Sequence, residues 1–124
     1  MNPPPARFPG RAPIEAYGNG GFRFASMSHR GSILCLPSGI SAWEPAYPLD
    51  ASSLAPALAE KEALGLLILG TGRRPELPAS DLRRAFAEAG VSLEAMDTGA
   101  ACRTYNVLLA EERRVAAALI AMPA

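Results

Sequence analysis

Residues 96–106, MDTGAACRTYN, gather a carboxylate, a thiol, a guanidinium, two aliphatic hydroxyls, a phenol and an amide around Gly99, Ala100 and Ala101. Three chemistries fit this run. A thiol near a helix start can have its pKa lowered by the helix field and act as a nucleophile, with Arg103 assisting Cys102. Small residues at a helix start can also leave backbone N–H groups open to an anion. The run can equally be a plain strand-to-helix junction, with Asp97 or Thr98 as the N-cap. Cys102 is the catalytic candidate, but it lacks a placed base. The single histidine, His29, lies far away in sequence, and a nucleophile needs a base within hydrogen-bond reach. The ordinary alternative for Cys102 is a buried structural thiol.

A second run, GTGRRPE at 70–76, leaves the end of an apolar segment. Its backbone N–H groups can form an anion nest. Pro75 stands where the dinucleotide motif requires its third glycine, and the Lys-Ser/Thr pair of a Walker A loop is missing. If the two strands feeding these runs are adjacent and parallel, both exits lie on one sheet edge, where α/β folds place ligands. The candidate ligand-binding set is Gly70, Thr71, Gly72, Arg73, Arg83, Asp97, Thr98, Gly99, Arg103 and Asn106. Against it stands a strand-end turn with solvated arginines.

The elements that must position these residues follow from hydrophobic period and turn chemistry. Five prolines in residues 1–13 keep that arm out of helices and central strands. It is expected to be flexible, frayed or draped over a domain formed by residues 14–124. Ile14–Tyr17 and the alternating FRFAS at 22–26 read as strands joined at Asn19–Gly20. MSHRG at 27–31 reads as a turn, with Gly31 at positive φ. SILCLP and GISAWEP read as further strands. LDASSLAPALAEKE is a short helix capped by Asp50 or Ser52, with Pro56 near its first turns. LGLLILG has the continuous apolar character of a strand covered on both faces. PASDLRRAFAEAG is a helix opened by Pro78 or Ser80, with Leu82 and Phe86 on one face and Gly90 as its stop. VSLEAM reads as another buried strand. ACRTYNVLLAEE follows as a helix, then RRVAAALIAM as a strand whose alanines suit a strand poorly. Glu111, Glu112, Arg113 and Arg114 form a charged turn of little energetic value. Trp43 is an interface anchor or core cover. The order implies one α/β domain with a mixed sheet, a β-rich N-terminal part, βαβ-type units and flanking helices.

Composition bounds the function. The chain has 124 residues, 49% hydrophobic and 19% charged, enough to bury a core without a disulfide or metal staple. Formal net charge is zero, which disfavours a nonspecific nucleic-acid binder. Cys35 and Cys102 make no CxxC, and no cluster has metal-ligand spacing, so neither a metal nor a cofactor is expected. The longest apolar run, ALGLLILG at 63–70, is too short to span a bilayer. With no signal-peptide pattern at the start, a cytoplasmic protein is expected. Both a monomer and a homodimer remain open.

Taken in order, EAYGNGGFRF, GSILCLPSGISAWEP, LLILGTG, the 78–90 helix and MDTGAACRTYNVLLAEERRVAAALI resemble the Mth938-like family, a domain of unknown function, over residues 14–122. The glycine-rich exit matches at Gly70, Thr71 and Gly72. A D-x-G-x-A-x-x-T-x-N-like run matches at Asp97, Gly99, Ala101, Thr104 and Asn106. The resemblance implies a small α/β protein with a mixed sheet. It also implies kinship to a mitochondrial assembly factor for respiratory complex I and to a cytoplasmic protein linked to adipocyte differentiation, with no established catalysis. An interaction or assembly role with protein partners follows as an expectation, including peripheral association with a membrane complex.

Overall fold

The computed structural model describes residues 7–123. Among the described residues, eight strands and three α-helices form two sheets and their cover. The first sheet is a meander of β1 (Ile14–Gly18), β2 (Gly21–Phe24) and β3 (Met27–Arg30). The second is five-stranded and mixed. Its members are β4 (Ser32–Leu36), β5 (Gly39–Trp43), β6 (Leu66–Gly70), β7 (Ser92–Met96) and β8 (Val115–Leu119), in the order β5-β4-β8-β6-β7. The helices are α1 (Ala55–Leu58), α2 (Ser80–Ala89) and α3 (Thr98–Ala110).

The pleat of the large sheet divides the core into two. Ile33, Cys35, Ile68, Val115, Ala117 and Leu119 face α3 and the meander, where Phe22, Phe24 and Tyr105 close the layer. Leu34, Leu36, Leu67, Leu69, Ala116 and Ala118 face the other way, against Leu54, Ala57, Leu82 and Phe86. Successive residues of one strand therefore serve opposite cores, which requires the continuous apolar runs seen in the sequence. β6 and β8 pair in parallel, as do β6 and β7.

Several expectations change. MSHRG is not a turn: Met27–Arg30 is strand β3, paired with β2. The turn lies one step earlier, at Ala25 and Ser26, which take φ +48 and +62. Neither residue signals positive φ, so the hairpin was hidden. The Ser26 N–H donates to Glu15 Oε1 at 2.7 Å, which helps hold it. The 50–63 helix is broken into a 3-10 turn capped by Asp50, the four-residue α1, and a second 3-10 turn at Lys61–Ala63. α2 starts at Ser80 behind an extended Ala79, with no side-chain cap. β7 is an edge strand with alternating exposure, not a buried one. The alanine-rich segment, by contrast, is the central strand, buried at all five positions. Burial on both faces outweighs the low strand preference of alanine. Trp43 is core, and its indole N–H donates to the Ser53 carbonyl at 2.9 Å.

Part of the proline-rich arm lies on the domain instead of fraying. Phe8 exchanges two backbone hydrogen bonds with Ile40 at 3.0 and 2.8 Å, and Ala12 is buried. The rest of that expectation, for residues 1–6, falls outside the described residues.

Gly70 marks a tight point at the end of β6. A Cβ there would meet Leu119 Cδ2 at 3.0 Å, Ala101 Cβ at 3.1 Å and Thr98 Cα at 3.1 Å. Two of these neighbours are held by α3, so they yield only if the helix shifts. Gly70→Ala is expected to cost about 1–3 kcal/mol of stability, measured by urea unfolding.

Candidate functional site

The β6 and β7 exits emerge side by side, because the two strands are adjacent and parallel with Gly70 opposite Met96. They do not leave a cleft of open donors between them. They are stitched together. The Thr71 N–H donates to the Met96 carbonyl at 2.9 Å, and the Thr98 N–H to the Gly72 carbonyl at 2.8 Å. The Gly72 N–H donates to Thr98 Oγ1 at 2.8 Å, and that hydroxyl donates onward to the Ile120 carbonyl at 2.7 Å. Thr98 is fully buried, so one hydroxyl joins the exits of β6 and β8 to the first residue of α3. Thr71 Oγ1 contacts the Arg74 carbonyl and accepts from the Glu76 N–H at 3.2 Å, folding the 71–76 loop onto itself. Buried backbone groups must be paired, and here the chain pairs them with itself.

At the start of α3 the same holds. Asp97 is the N-cap, its Oδ1 accepting from the Ala100 N–H at 2.9 Å. The Ala101 N–H donates to the Asp97 carbonyl at 2.9 Å. Gly99 is buried under Tyr17: a Cβ at that position would meet the phenol oxygen at 3.0 Å. Arg103 is exposed and donates to the same Tyr17 oxygen at 2.7 Å. Asn106 spends both ends of its amide on one residue of β1. Its Oδ1 accepts from the Ile14 N–H at 2.8 Å, and its Nδ2 donates to the Ile14 carbonyl at 2.8 Å. The side chain thus imitates a neighbouring strand and straps the meander to α3.

The remaining candidates are dispersed. Arg73 is exposed on the loop after β6. Arg83, on α2, lines a separate pocket of about 410 Å³ with Phe86, Ala87, Val91 and Leu93, beside the first half of β7. The structure brings together Gly70, Thr71, Gly72, Asp97, Thr98 and Gly99 as a junction. It brings Arg103 and Asn106 onto the meander through Tyr17 and Ile14. Arg83 is placed with β7, away from that junction. Tyr17 and Ile14 were not among the sequence candidates. Their roles depend on contacts across more than eighty residues, for which no local pattern exists.

Cys102 is buried in the core that faces α3. Burial pushes its thiol up to about 12, outweighing the nearby Arg103 charge that favours the thiolate, while Asp97 adds to the rise. Cys35 is raised in the same direction, chiefly by burial and secondarily by Cys102. No hydrogen bond links His29 to Cys102 among the described residues; His29 lies on β3 opposite Phe22. The arrangement opposes nucleophilic chemistry, because the thiolate is the reactive form.

Three measurements check this site. Thr98→Val leaves the Gly72 N–H and the Ile120 carbonyl without that partner, and is expected to cost about 2–4 kcal/mol by urea unfolding. Iodoacetamide at about pH 8 is expected to leave Cys102 unmodified until denaturant is added. The unfolded thiol ionises near 9.0 while the folded one keeps its proton to about 12. The folded state therefore holds more protons above pH 9, and stability present below that point is lost as pH rises toward 12. Cys102→Ala should flatten that alkaline decline in Tm.

The family model for proteins of unknown function DUF498/DUF598 matches residues 14–120. An outer membrane protein from Bartonella henselae has the same fold, with a TM-score of 0.87 and 49% identity, over 93% of this chain and 98% of that one. A Mth938-like domain of Bordetella pertussis superposes with a TM-score of 0.76 at 32% identity, over 97% of this chain and 90% of its own. NADH dehydrogenase [ubiquinone] 1 alpha subcomplex assembly factor 3 of Danio rerio is 34% identical over 90% of this chain, which spans 65% of that factor's length. With the fold and the matched span in agreement, the chain belongs to the Mth938-like family of proteins of unknown function, DUF498/DUF598.

Proposed function

We propose that this protein is a noncatalytic interaction or assembly factor for a respiratory NADH dehydrogenase. In this reading it acts from the cytoplasm with residues 14–124 as its working domain. The observation that carries the reading is the 34% identity to the zebrafish assembly factor across 90% of the chain. The geometry supports it from the other side. The groups that suggested chemistry are committed to the fold: Thr98 and Asp97 to the junction, Asn106 to β1, and Cys102 to the core. The alternative, an anion-binding protein or a Cys102 enzyme at the strand exits, has less support, because the Gly72, Thr98 and Ala100 N–H groups there are already bonded.

The partner in this reading is a protein. Zero net charge gives no field to hold a nucleic acid. No helix among the described residues is long and apolar enough to cross a membrane, so contact with a membrane complex would run through its peripheral subunits. The test is to delete the gene from its native host and resolve the membrane complexes on native gels stained for NADH oxidation. The expected outcome is loss of the assembled dehydrogenase, with smaller intermediates accumulating and wild-type protein restoring the pattern. Unchanged assembly in the deletion strain would sink the reading.

A further inference from the structure

The two edges of the large sheet are treated differently. At β5 the chain covers its own edge: Phe8 pairs with Ile40 through two backbone bonds, so close that a Cβ on Gly39 would collide with the Phe8 carbonyl. At β7 nothing among the described residues pairs on the outer side. Ser92 and Met96 direct their backbone groups inward, with the Ser92 N–H donating to Gly65 and the Met96 carbonyl accepting from Thr71. In a parallel ladder the alternate residues then point outward, so Leu93 and Ala95 each present an N–H and a carbonyl to the open side. An uncovered edge of this kind is a template for another strand.

The side chains around this edge select what can lie on it. On the α2 face, the pocket of about 410 Å³ lined by Arg83, Phe86, Ala87, Val91 and Leu93 opens beside the first half of β7. On the opposite face, Glu94 is exposed at the centre of the strand. An added strand alternates its side chains between these faces. Its apolar residues would meet the Phe86 and Leu93 pocket, and the residue between them would meet Glu94. A second copy of this chain is disfavoured: two-fold antiparallel pairing centred on Glu94 would set two carboxylates directly opposite, which is destabilising.

We infer that β7 is a docking edge for an extended segment of a different protein, one that alternates apolar residues with a lysine or arginine placed against Glu94. The inference rests on the interaction reading above but not on which complex is assembled. Main-chain bonds to Leu93 and Ala95 would supply the attachment, and the pocket and Glu94 the selectivity.

The test uses the full chain, isotopically labelled, and a blocked peptide of alternating valine and lysine. Its control is the same peptide with glutamate for lysine. The lysine peptide is expected to shift the amide resonances of Leu93 and Ala95 and slow their hydrogen exchange. It should bind roughly fivefold tighter than the glutamate peptide. Glu94→Lys should reverse that preference, and Ala95→Pro, which removes one outward N–H at an edge position, should abolish both effects while the rest of the spectrum stays native. Shifts confined to other surfaces, an unchanged preference in Glu94→Lys, or β7 shifts that depend on protein concentration without peptide would each overturn the inference. The two readings fail separately. Peptide docking at β7 with normal dehydrogenase assembly in the deletion strain removes only the assembly role. An Ala95→Pro strain that assembles the dehydrogenase normally, where the deletion strain does not, removes only the docking edge.

Discussion

The Thr98 hydroxyl is the point on which the large sheet and α3 depend together. It accepts from Gly72 and donates to Ile120, while its own backbone N–H donates to the Gly72 carbonyl. One residue therefore fixes where β6 stops, where β8 stops and where α3 begins. A serine would supply the same hydroxyl, but with a freer χ1. The β-branched threonine restricts that torsion and so holds the bond geometry at a lower entropic cost. Gly70 completes the arrangement by letting Thr98 and Ala101 approach the end of β6 within about van der Waals distance.

From that junction the rest of the architecture follows in sequence. α3 lies over β6 and β8 and offers Tyr105 and Cys102 to the core. Its outer turns carry Arg103 and Asn106, which reach Tyr17 and Ile14 on the small sheet. The meander is thus held to the domain by two polar contacts and by the burial of Ile14, Phe22 and Phe24. A run that looked like a reaction centre turns out to be the joint that connects three layers. Reactive side-chain types are also good structural ones: a cap, a buried hydroxyl, a strand-mimicking amide and a small apolar thiol.

Much of the fold was legible because its signals were local. Asn19–Gly20 announced the first hairpin, Gly90 the end of α2, and Asp97 the cap of α3. The continuous apolar run at 66–70 identified a strand covered on both faces. What stayed hidden was set by distant contacts. Ala25 and Ser26 turn the chain without the residues that usually do so. β8 was read as a strand, but its central place is set by β4 and β6 on either side of it, not by any preference of alanine for extended backbone. The candidate site divided in the same way. The adjacency of the two exits could be anticipated from βαβ order, but the closing of their donors by Thr98, and the strapping of Ile14 by Asn106, required the third dimension.

The position of β8 has a consequence for how the protein is made. It is the last of the eight strands to be synthesised, yet it occupies the middle of the sheet, between β4 and β6. Until it arrives, the β4–β5 hairpin and the β6–β7 pair are separate fragments, each with a bare apolar edge turned toward a gap. Neither of the two cores can close before residues 115–119 emerge, because they contribute to both. The domain therefore folds as a whole only once those residues leave the ribosome, and until then its unpaired edges invite misassociation. Keeping that keystone strand short, with three alanines among its five residues, lets it slide into the gap with few side-chain rotamers to settle.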